Sequence, residues 1–397
     1  MEKTALANMI IPLAKIPTAF PVSDVALFLP TACDDGGTQR VMICLANGFS
    51  QQGLAVDLLV VSEEGPFLKD VSEAVRIVDL RPIQGWFHYK KPYYLYYFQL
   101  VLQLATYLRR IRPRCLLSAL NIYNFIAIVA HIFVLSSTRL YVSERTTISK
   151  VAWPGKAIFQ HLLPLTMHCL YRRADKILAV SEGVADDLAR FARLRRDSIC
   201  TIYNPVPVDY IAAKAKQPLA HPWFAPGQPP VLLGVGCLCV AKDFPNLLHA
   251  FALIRNKRPV RLVILGEGGL RTELEALAKK LNVADDVIFP GFVANPYAWM
   301  HRATVFVLSS AYEGLSNALL EAMASGTSVV STDCPSGSDE ILEGGKWGHL
   351  VSIGDPAALA HAIIETLDTP KAVDVTERAR DFNVENSVQG YMAAMEL

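Results

Sequence analysis

The sequence predicts an α/β protein made of two consecutive doubly wound parallel sheets, and three observations carry that reading. Short apolar runs alternate with helical patterns along most of the chain. The alternation pauses over residues 206–230, where prolines crowd and no periodicity survives. Hydrophobic residues make up 52% of the 397 and charged ones 19%, enough apolar material for a core in each half.

Taken in order, "VALFLP" (25–30) reads as the first strand, and Gly36-Gly37 precede a helix through "QRVMICLANGFSQQG". Further strands are expected at "AVDLLVV" (55–61), "RCLLSAL" (114–120), "RLYVSE" (139–144) and "KILAVS" (176–181). Ser181 is placed to cap the helix "EGVADDLARFA". Residues 1–205 thus form one domain and 206–230 a proline-rich linker. A second domain over 231–375 repeats the pattern with "VLLGVGCL", "VRLVILGEG", "VIFPGFV", "ATVFVLSS" and "TSVVST" as strands. A C-terminal helix, 376–397, is expected to pack back toward the first domain. Ligands of doubly wound sheets bind beyond the carboxyl ends of the strands, so a cleft between two such domains is the expected site.

The formal charge of +1 hides an asymmetry. Residues 1–205 hold 23 Lys and Arg against 16 Asp and Glu (+7), and residues 206–397 hold 15 against 21 (−6). Between Leu80 and Ser143 there is no acid, while Lys90, Lys91, Arg109, Arg110, Arg112 and Arg114 are basic and Tyr93, Tyr94, Tyr96 and Tyr97 stand among them. Aromatics beside Lys and Arg suit the headgroup zone of an anionic membrane, whereas the acidic second domain and the lack of a binding motif argue against nucleic acid. A core helix with solvated basic ends is the plainer reading of the same residues. No run reaches the ~20 apolar residues that span a bilayer. Four breaks (Pro12, Lys15, Pro17 and Pro21) deny residues 9–22 the form of a secretory signal. The eight cysteines form no Cys-x-x-Cys pair, which suits reduced thiols, and no metal site is expected. The expected location is cytoplasmic, peripheral at the inner face of the membrane.

Three strand-to-helix junctions carry glycine where an anion could approach backbone: Gly36-Gly37, Gly266 with Gly268-Gly269, and Gly314. The last lies in "YEGLSNALLEAMASG" (312–326), which has Glu313 in a loop and Glu321 in a helix. Eight residues of helix span ~12 Å, so the two carboxylates can reach different parts of one extended ligand, with a helix start between them for an anion. Two polyol ends around a phosphate describe a nucleotide sugar. A solvated Glu313 and a salt-bridged Glu321 are the plainer alternative.

"SSAYEGLSNALLEAMASGTSVVSTDCPSGSDEIL" (309–342) resembles the nucleotide-sugar signature of retaining glycosyltransferase family 4 of bacterial surface-glycan type. "GVGCLCVAKDFPNLLHAFALI" and "LVILGEGGLRTELEALAKKL" match its second domain in order, and "GGTQRVMICLANGFSQQG" its first helix. The resemblance implies the GT-B fold of two Rossmann-like domains and transfer of a sugar, an N-acetylhexosamine among look-alikes, from a UDP-sugar to a glycan or lipid-linked glycan acceptor. It implies that Glu321 holds the ribose and that Glu313 lies near the transferred sugar as a catalytic residue. Leu315, Ser316 and Asn317 would surround the sugar and phosphate, and Lys242 would bind phosphate. Gly37 and Gly266 would lie against the donor, and Phe292-Val293 would read the base through backbone. The lack of an Asp-x-Asp motif fits a metal-independent transfer without cofactor.

Two departures stand out. Cys237 occupies the place of an arginine beside the diphosphate, and a thiol cannot supply its bidentate contacts. Glu144-Arg145 stand where many relatives have a histidine, which makes Glu144 a second candidate catalytic residue beside a structural ion pair as the alternative. Competing functions are a UDP-sugar 2-epimerase and a catalytically weak nucleotide-sugar-binding protein.

Overall fold

The computed structural model describes residues 23–29, 36–61, 68–81, 93–151, 157–369 and 373–397. Lys90 and Lys91 lie outside them. The first sheet holds β1 (Val25–Leu29), β2 (Val56–Val60), β3 (Arg76–Asp79), β4 (Cys115–Ala119), β5 (Arg139–Glu144), β6 (Lys176–Ala179) and β7 (Ile199–Thr201). Their order is β3-β2-β1-β4-β5-β6-β7. The β1/β2, β1/β4, β2/β3 and β4/β5 pairings are all parallel. Strands β1, β2 and β4 are buried at every position, as strands covered on both faces must be. The connecting helices are α1 (Gly36–Gln51), α2 (Tyr93–Ile111), α3 (Asn121–Val134), α4 (Ala157–Tyr171) and α5 (Glu182–Phe191).

The second sheet comprises β8 (Val231–Val235), β9 (Arg261–Leu265), β10 (Val287–Gly291), β11 (Val305–Leu308), β12 (Ser328–Thr332) and β13 (His349–Val351). It runs β10-β9-β8-β11-β12-β13, again parallel. One rule orders both sheets: the chain builds outward from its first strand, then returns to that strand's other side. The reversal leaves a switch point between β1 and β4 and another between β8 and β11, where connections leave in opposite directions and a crevice opens.

Residues 206–230 are more ordered than their prolines suggest. They contain α6 (Val208–Ala215) and a single 3₁₀ turn at Pro222–Phe224, where His221 Nδ1 accepts from Trp223 N–H. The second sheet is flanked by α7 (Phe244–Arg255), α8 (Arg271–Lys280), α9 (Pro296–Arg302), α10 (Asn317–Ala324), α11 (Ser338–Leu342) and α12 (Pro356–Asp368). Leu247, Phe251 and Ile254 of α7 and Leu359 and Ile363 of α12 fill the core against Leu232, Leu262 and Val305. In place of one C-terminal helix there are two, α13 (Val375–Arg380) and α14 (Val384–Met395). The break falls at Phe382, which is buried with its ring against Tyr203 and its carbonyl accepting from Val206 N–H at 2.8 Å.

Compact units divide the chain first after Glu144, and the whole of 206–230 lies inside the second unit. One unit takes residues up to Glu144, Leu165–Ile177 and Met395–Leu397; the other takes Arg145–Pro164 and Leu178–Ala394. Within the first, Tyr141 donates to Met395 O at 3.0 Å, and Arg139 pairs with the Glu396 carboxylate at 2.6 Å. The sequence alone places no boundary at 144, because the strand β5 runs directly into the segment 145–149.

Candidate active site

The candidate site gathers at the β8/β11 switch point. After β8 the chain turns through Gly236 and Cys237 to a 3₁₀ turn, Val240–Lys242, and Asp243 then caps α7. Asp243 sits at φ 43° and accepts from Asn246 N–H, so the αL turn and the cap together aim Lys242. After β11 the chain passes Ser309, Ser310 and Glu313 and enters α10 with Ser316 as its N-cap. Ala311 N–H bonds Ala241 O and Ser309 Oγ bonds Lys242 O, both at 2.8 Å, which ties one loop to the other. Across this junction Lys242 Nζ lies 2.8 Å from Glu313 Oε1, with both side chains mostly buried. Ser310 Oγ donates to the same oxygen at 2.7 Å.

The backbone of the Glu313 loop is held from a second direction. Thr147 Oγ1 donates to Glu313 O at 2.6 Å and Ser181 Oγ to Gly314 O at 2.8 Å. Gly314 tolerates no side chain, since a Cβ there would stand 2.0 Å from Arg145 O. Arg145 in turn donates from its guanidinium to Asn204 Oδ1 at 2.9 Å and to Tyr391 OH at 3.2 Å. Asn204 passes the connection on, donating to Asn317 Oδ1 at 2.8 Å. The first residue of α10 is therefore fixed by a chain that runs from α14 through Arg145 and Asn204. Sequence reasoning missed Asn204, Thr147 and Ser181 in this role; no spacing marks them, because their partners lie more than a hundred residues away.

The remaining expected residues divide. Leu315 and Ser316 are buried at the start of α10, and Glu321 is buried on its second turn. Only the part of the Glu313–Glu321 interval from Asn317 onward is helical, so the separation predicted for eight helical residues is too simple. Phe292 is exposed and Val293 half-buried just past β10. Gly37 is the second residue of α1, in the other unit. Gly266 serves loop packing: at φ 129°, a Cβ would come 2.0 Å from Gly236 O, so only glycine lets the β8 and β9 loops touch. Cys237 is half-buried in the same loop.

Glu144 requires a correction. Its side chain is wholly buried, accepting from Asn124 Nδ2 at 3.0 Å and from Tyr171 OH. Burial, then the Glu144 charge, pushes the Tyr171 phenol well above its usual range, so it stays a donor. A carboxylate that faces the core between a helix asparagine and a buried tyrosine presents no oxygen to a substrate. Its burial favours the structural alternative, while Arg145, the other member of the pair, reaches Asn204 and Tyr391.

Chemically, the switch point combines an ammonium, a helix N-terminus and a carboxylate within one junction. The first two favour an anion, and the third accepts from hydroxyls. Among the described residues no cluster of three or more His, Cys, Asp or Glu is placed to hold a metal ion.

Two family models match the chain: "Glycosyltransferase Family 4" over residues 35–210 and "Glycosyl transferases group 1" over 229–369. These two matches and the two parallel sheets give the chain the domain pair and fold of GT-B glycosyltransferases. Among curated relatives it is 34% identical over 64% of its length to N-acetylgalactosamine-N,N'-diacetylbacillosaminyl-diphospho-undecaprenol 4-alpha-N-acetylgalactosaminyltransferase of Campylobacter jejuni. It is 32% identical over 49% of its length to the lipopolysaccharide core biosynthesis glycosyltransferase LpsE of Rhizobium meliloti. The matched stretches span 66% and 54% of those two proteins' own lengths. Of solved structures, Anabaena HepE with UDP and glucose superposes with a TM-score of 0.75 at 16% identity, covering 94% of this chain and 99% of that one. Sucrose-phosphate synthase of Thermosynechococcus elongatus gives 0.78 at 19%, covering 94% and 98%. At such identities the structures speak for the fold.

Proposed function

We propose that the protein is a retaining hexosyltransferase that moves an N-acetylhexosamine from a UDP-sugar to a glycan or lipid-linked glycan acceptor, without a metal ion. The observation that carries this is the Lys242–Glu313 pair, set at the β8/β11 switch point in front of the α10 N-terminus. An incoming diphosphate competes with Glu313 for Lys242 and takes the ammonium, while the first N–H groups of α10 complete its charge compensation. Glu313, released from Lys242, then accepts from hydroxyls of the sugar, and Glu321 on the next turn accepts from the ribose. As the glycosidic bond breaks, charge grows on the diphosphate. Lys242 and the helix dipole are already oriented toward it, so stabilisation there needs neither a divalent ion nor rearrangement.

The acceptor class rests on the relatives, the first of which is named for a diphospho-undecaprenol substrate and another for lipopolysaccharide core biosynthesis. No described helix is long and apolar enough to cross a membrane, so such an acceptor would be met from outside the bilayer. Incubation with a panel of UDP-sugars in EDTA, with polyprenyl-diphosphate-linked and soluble glycan acceptors, tests the proposal. Acceptor-dependent UDP release with the α-linkage of the donor kept supports it. Interconversion of the sugar without release makes the protein an epimerase, and binding without either makes it a carrier of nucleotide sugar.

A further inference from the structure

A pocket inside the second unit stands apart from the Lys242–Glu313 junction. It follows β10, the edge strand of its sheet, and is lined besides by residues of α8 and by His221 and Trp299. The lining reaches from Pro290, near the carboxyl end of β10, to Ala284 just before its start. It therefore extends away from the edge where the donor is proposed to sit, and β9 separates β10 from β8. The volume is about 490 Å³, within the roughly 300–1,000 Å³ of small-molecule sites.

Packed aromatic rings hold one wall in place. The His221 ring lies 5.4 Å from Trp299 and 5.9 Å from Phe224, and Phe224 meets Trp299 edge-on at 5.6 Å. Trp223 completes the group at 5.7 Å from His221, with the Arg261 guanidinium 4.8 Å from its ring. His221 Nδ1 accepts from Trp223 N–H, which leaves the ring proton on Nε2 as a donor. Burial, then the Arg261 charge, lowers the His221 pKa below its usual value, so the ring stays neutral near pH 7.

The edge strand is closed to an added peptide strand. Pro290 has no N–H, Phe289 O already accepts from Arg271 at 2.6 Å, and the β9/β10 register shifts between Ile288 and Gly291. A phosphate is poorly served too, because the Arg271 guanidinium is engaged by Glu267, Glu275 and that carbonyl. What remains is an apolar and aromatic surface with three polar groups: the His221 Nε2–H, the Glu275 carboxylate and the exposed Lys279 ammonium. A neutral donor, an acceptor and a cationic donor beside aromatic rings suit a pyranose. Its C–H face packs on a ring while its hydroxyls both donate and accept. We propose that this pocket binds a saccharide unit of a glycan at a second site, distinct from the one at which transfer is proposed. His221 and Lys279 donate to its hydroxyls, Glu275 accepts from them, and the sugar ring lies against Trp299. The inference requires neither the donor nor the acceptor proposed above.

Saturation-transfer NMR tests it, with the methyl α-glycosides of glucose, galactose, N-acetylglucosamine and N-acetylgalactosamine at millimolar concentration, each with and without excess UDP. At least one glycoside is expected to receive saturation through its ring C–H protons, and UDP should not displace it. Trp299→Ala should weaken that binding about tenfold, as should Ala284→Trp, which fills the pocket. Ala284 is exposed, so its replacement keeps the test open where loss of the half-buried Trp299 disturbs the fold; the thermal unfolding midpoint shows which holds. These two variants locate the sugar whether or not UDP binds at the switch point. Absence of saturation transfer to all four glycosides, or binding indifferent to Ala284→Trp in the folded protein, overturns the proposal. So does displacement by UDP, which would put the sugar at the switch point.

Discussion

Glu144 and Glu313 occupy comparable places, each at or just beyond the carboxyl end of a parallel strand, yet their surroundings differ entirely. At the end of β5, Glu144 turns inward to Asn124 and Tyr171, two neutral donors in a closed core. Beyond β11, Glu313 meets the ammonium of Lys242 and the hydroxyl of Ser310, next to a helix start. Full burial against Asn124 and Tyr171 holds an acid in the core. A cation that a stronger anion can draw away leaves the acid exchangeable, and exchange is what a substrate site needs. Position on the strand does not separate the two; burial in the core against a contact with Lys242 does.

The largest effect expected from this contrast is on turnover. Lys242→Ala should lower it by about 10²–10³, the cost of losing one oriented group that stabilises developing charge. Glu313→Gln should reduce turnover more than UDP affinity if the group takes the sugar end as proposed. Glu144→Gln, by contrast, should leave steady-state turnover within about threefold while Glu144→Ala lowers stability by ~1–3 kcal/mol through the unpaired Asn124 and Tyr171 donors. A large loss of turnover in stably folded Glu144→Gln would erase the contrast.

Next in size is the nucleotide end. Glu321→Ala would remove the charge-assisted hydrogen bonds proposed to the ribose, worth ~1.5–3 kcal/mol, so UDP affinity should fall about tenfold or more in a calorimetric titration. Affinity equal to that of the unaltered protein would remove Glu321 from the ribose.

Smaller again is the effect of the relay behind α10. Asn204→Ala should raise the KM for the donor several-fold with less change in kcat, since it loosens the first residue of the helix without touching the reacting atoms. Arg145→Lys should fail to restore the geometry, because an ammonium cannot reach Asn204 and Tyr391 together as the guanidinium fork does. Equal losses in KM and kcat, tracking thermal stability, would make the relay merely structural. Cys237→Arg tests the same junction from the other side. Tighter UDP binding would mark an under-compensated diphosphate site, and weaker binding would mark space that Lys242 already fills.

The smallest expected effect concerns Cys334. Burial first, then the Glu313 charge, pushes its thiol up to about 12. At pH 8 it should resist iodoacetamide in the folded protein while the exposed Cys169 reacts. Labelling of both at one rate, read by mass spectrometry, would contradict that environment.

Much of this architecture was legible because it repeats. Apolar runs buried on both faces announce parallel strands, so β1, β2, β4, β8 and β9 could be placed from sequence. The Glu313–Asn317 loop was legible from its glycine, serine and acid before a helix. The supports of that loop were not. Thr147, Ser181 and Asn204 are ordinary polar residues whose meaning comes from backbone carbonyls and an asparagine brought near by the fold. Glu144 shows the converse: an acid at a strand end looks open to substrate until its burial against Asn124 and Tyr171 is known. The proline-rich stretch 206–230 misled in a third way, since prolines at helix starts, as before α6, organise chain as readily as they break it.

If Lys242 and the start of α10 hold the donor diphosphate while Glu144 serves only the fold, UDP binding depends on the first and not on the second. Calorimetric titration of UDP into the unaltered protein, Lys242→Ala and Glu144→Gln, all in EDTA, tests it most directly. Metal-free binding is expected to weaken at least about tenfold in Lys242→Ala, the scale of a lost charge-assisted contact, and to be unchanged in Glu144→Gln. Binding that survives Lys242→Ala but is lost in a stably folded Glu144→Gln would contradict it.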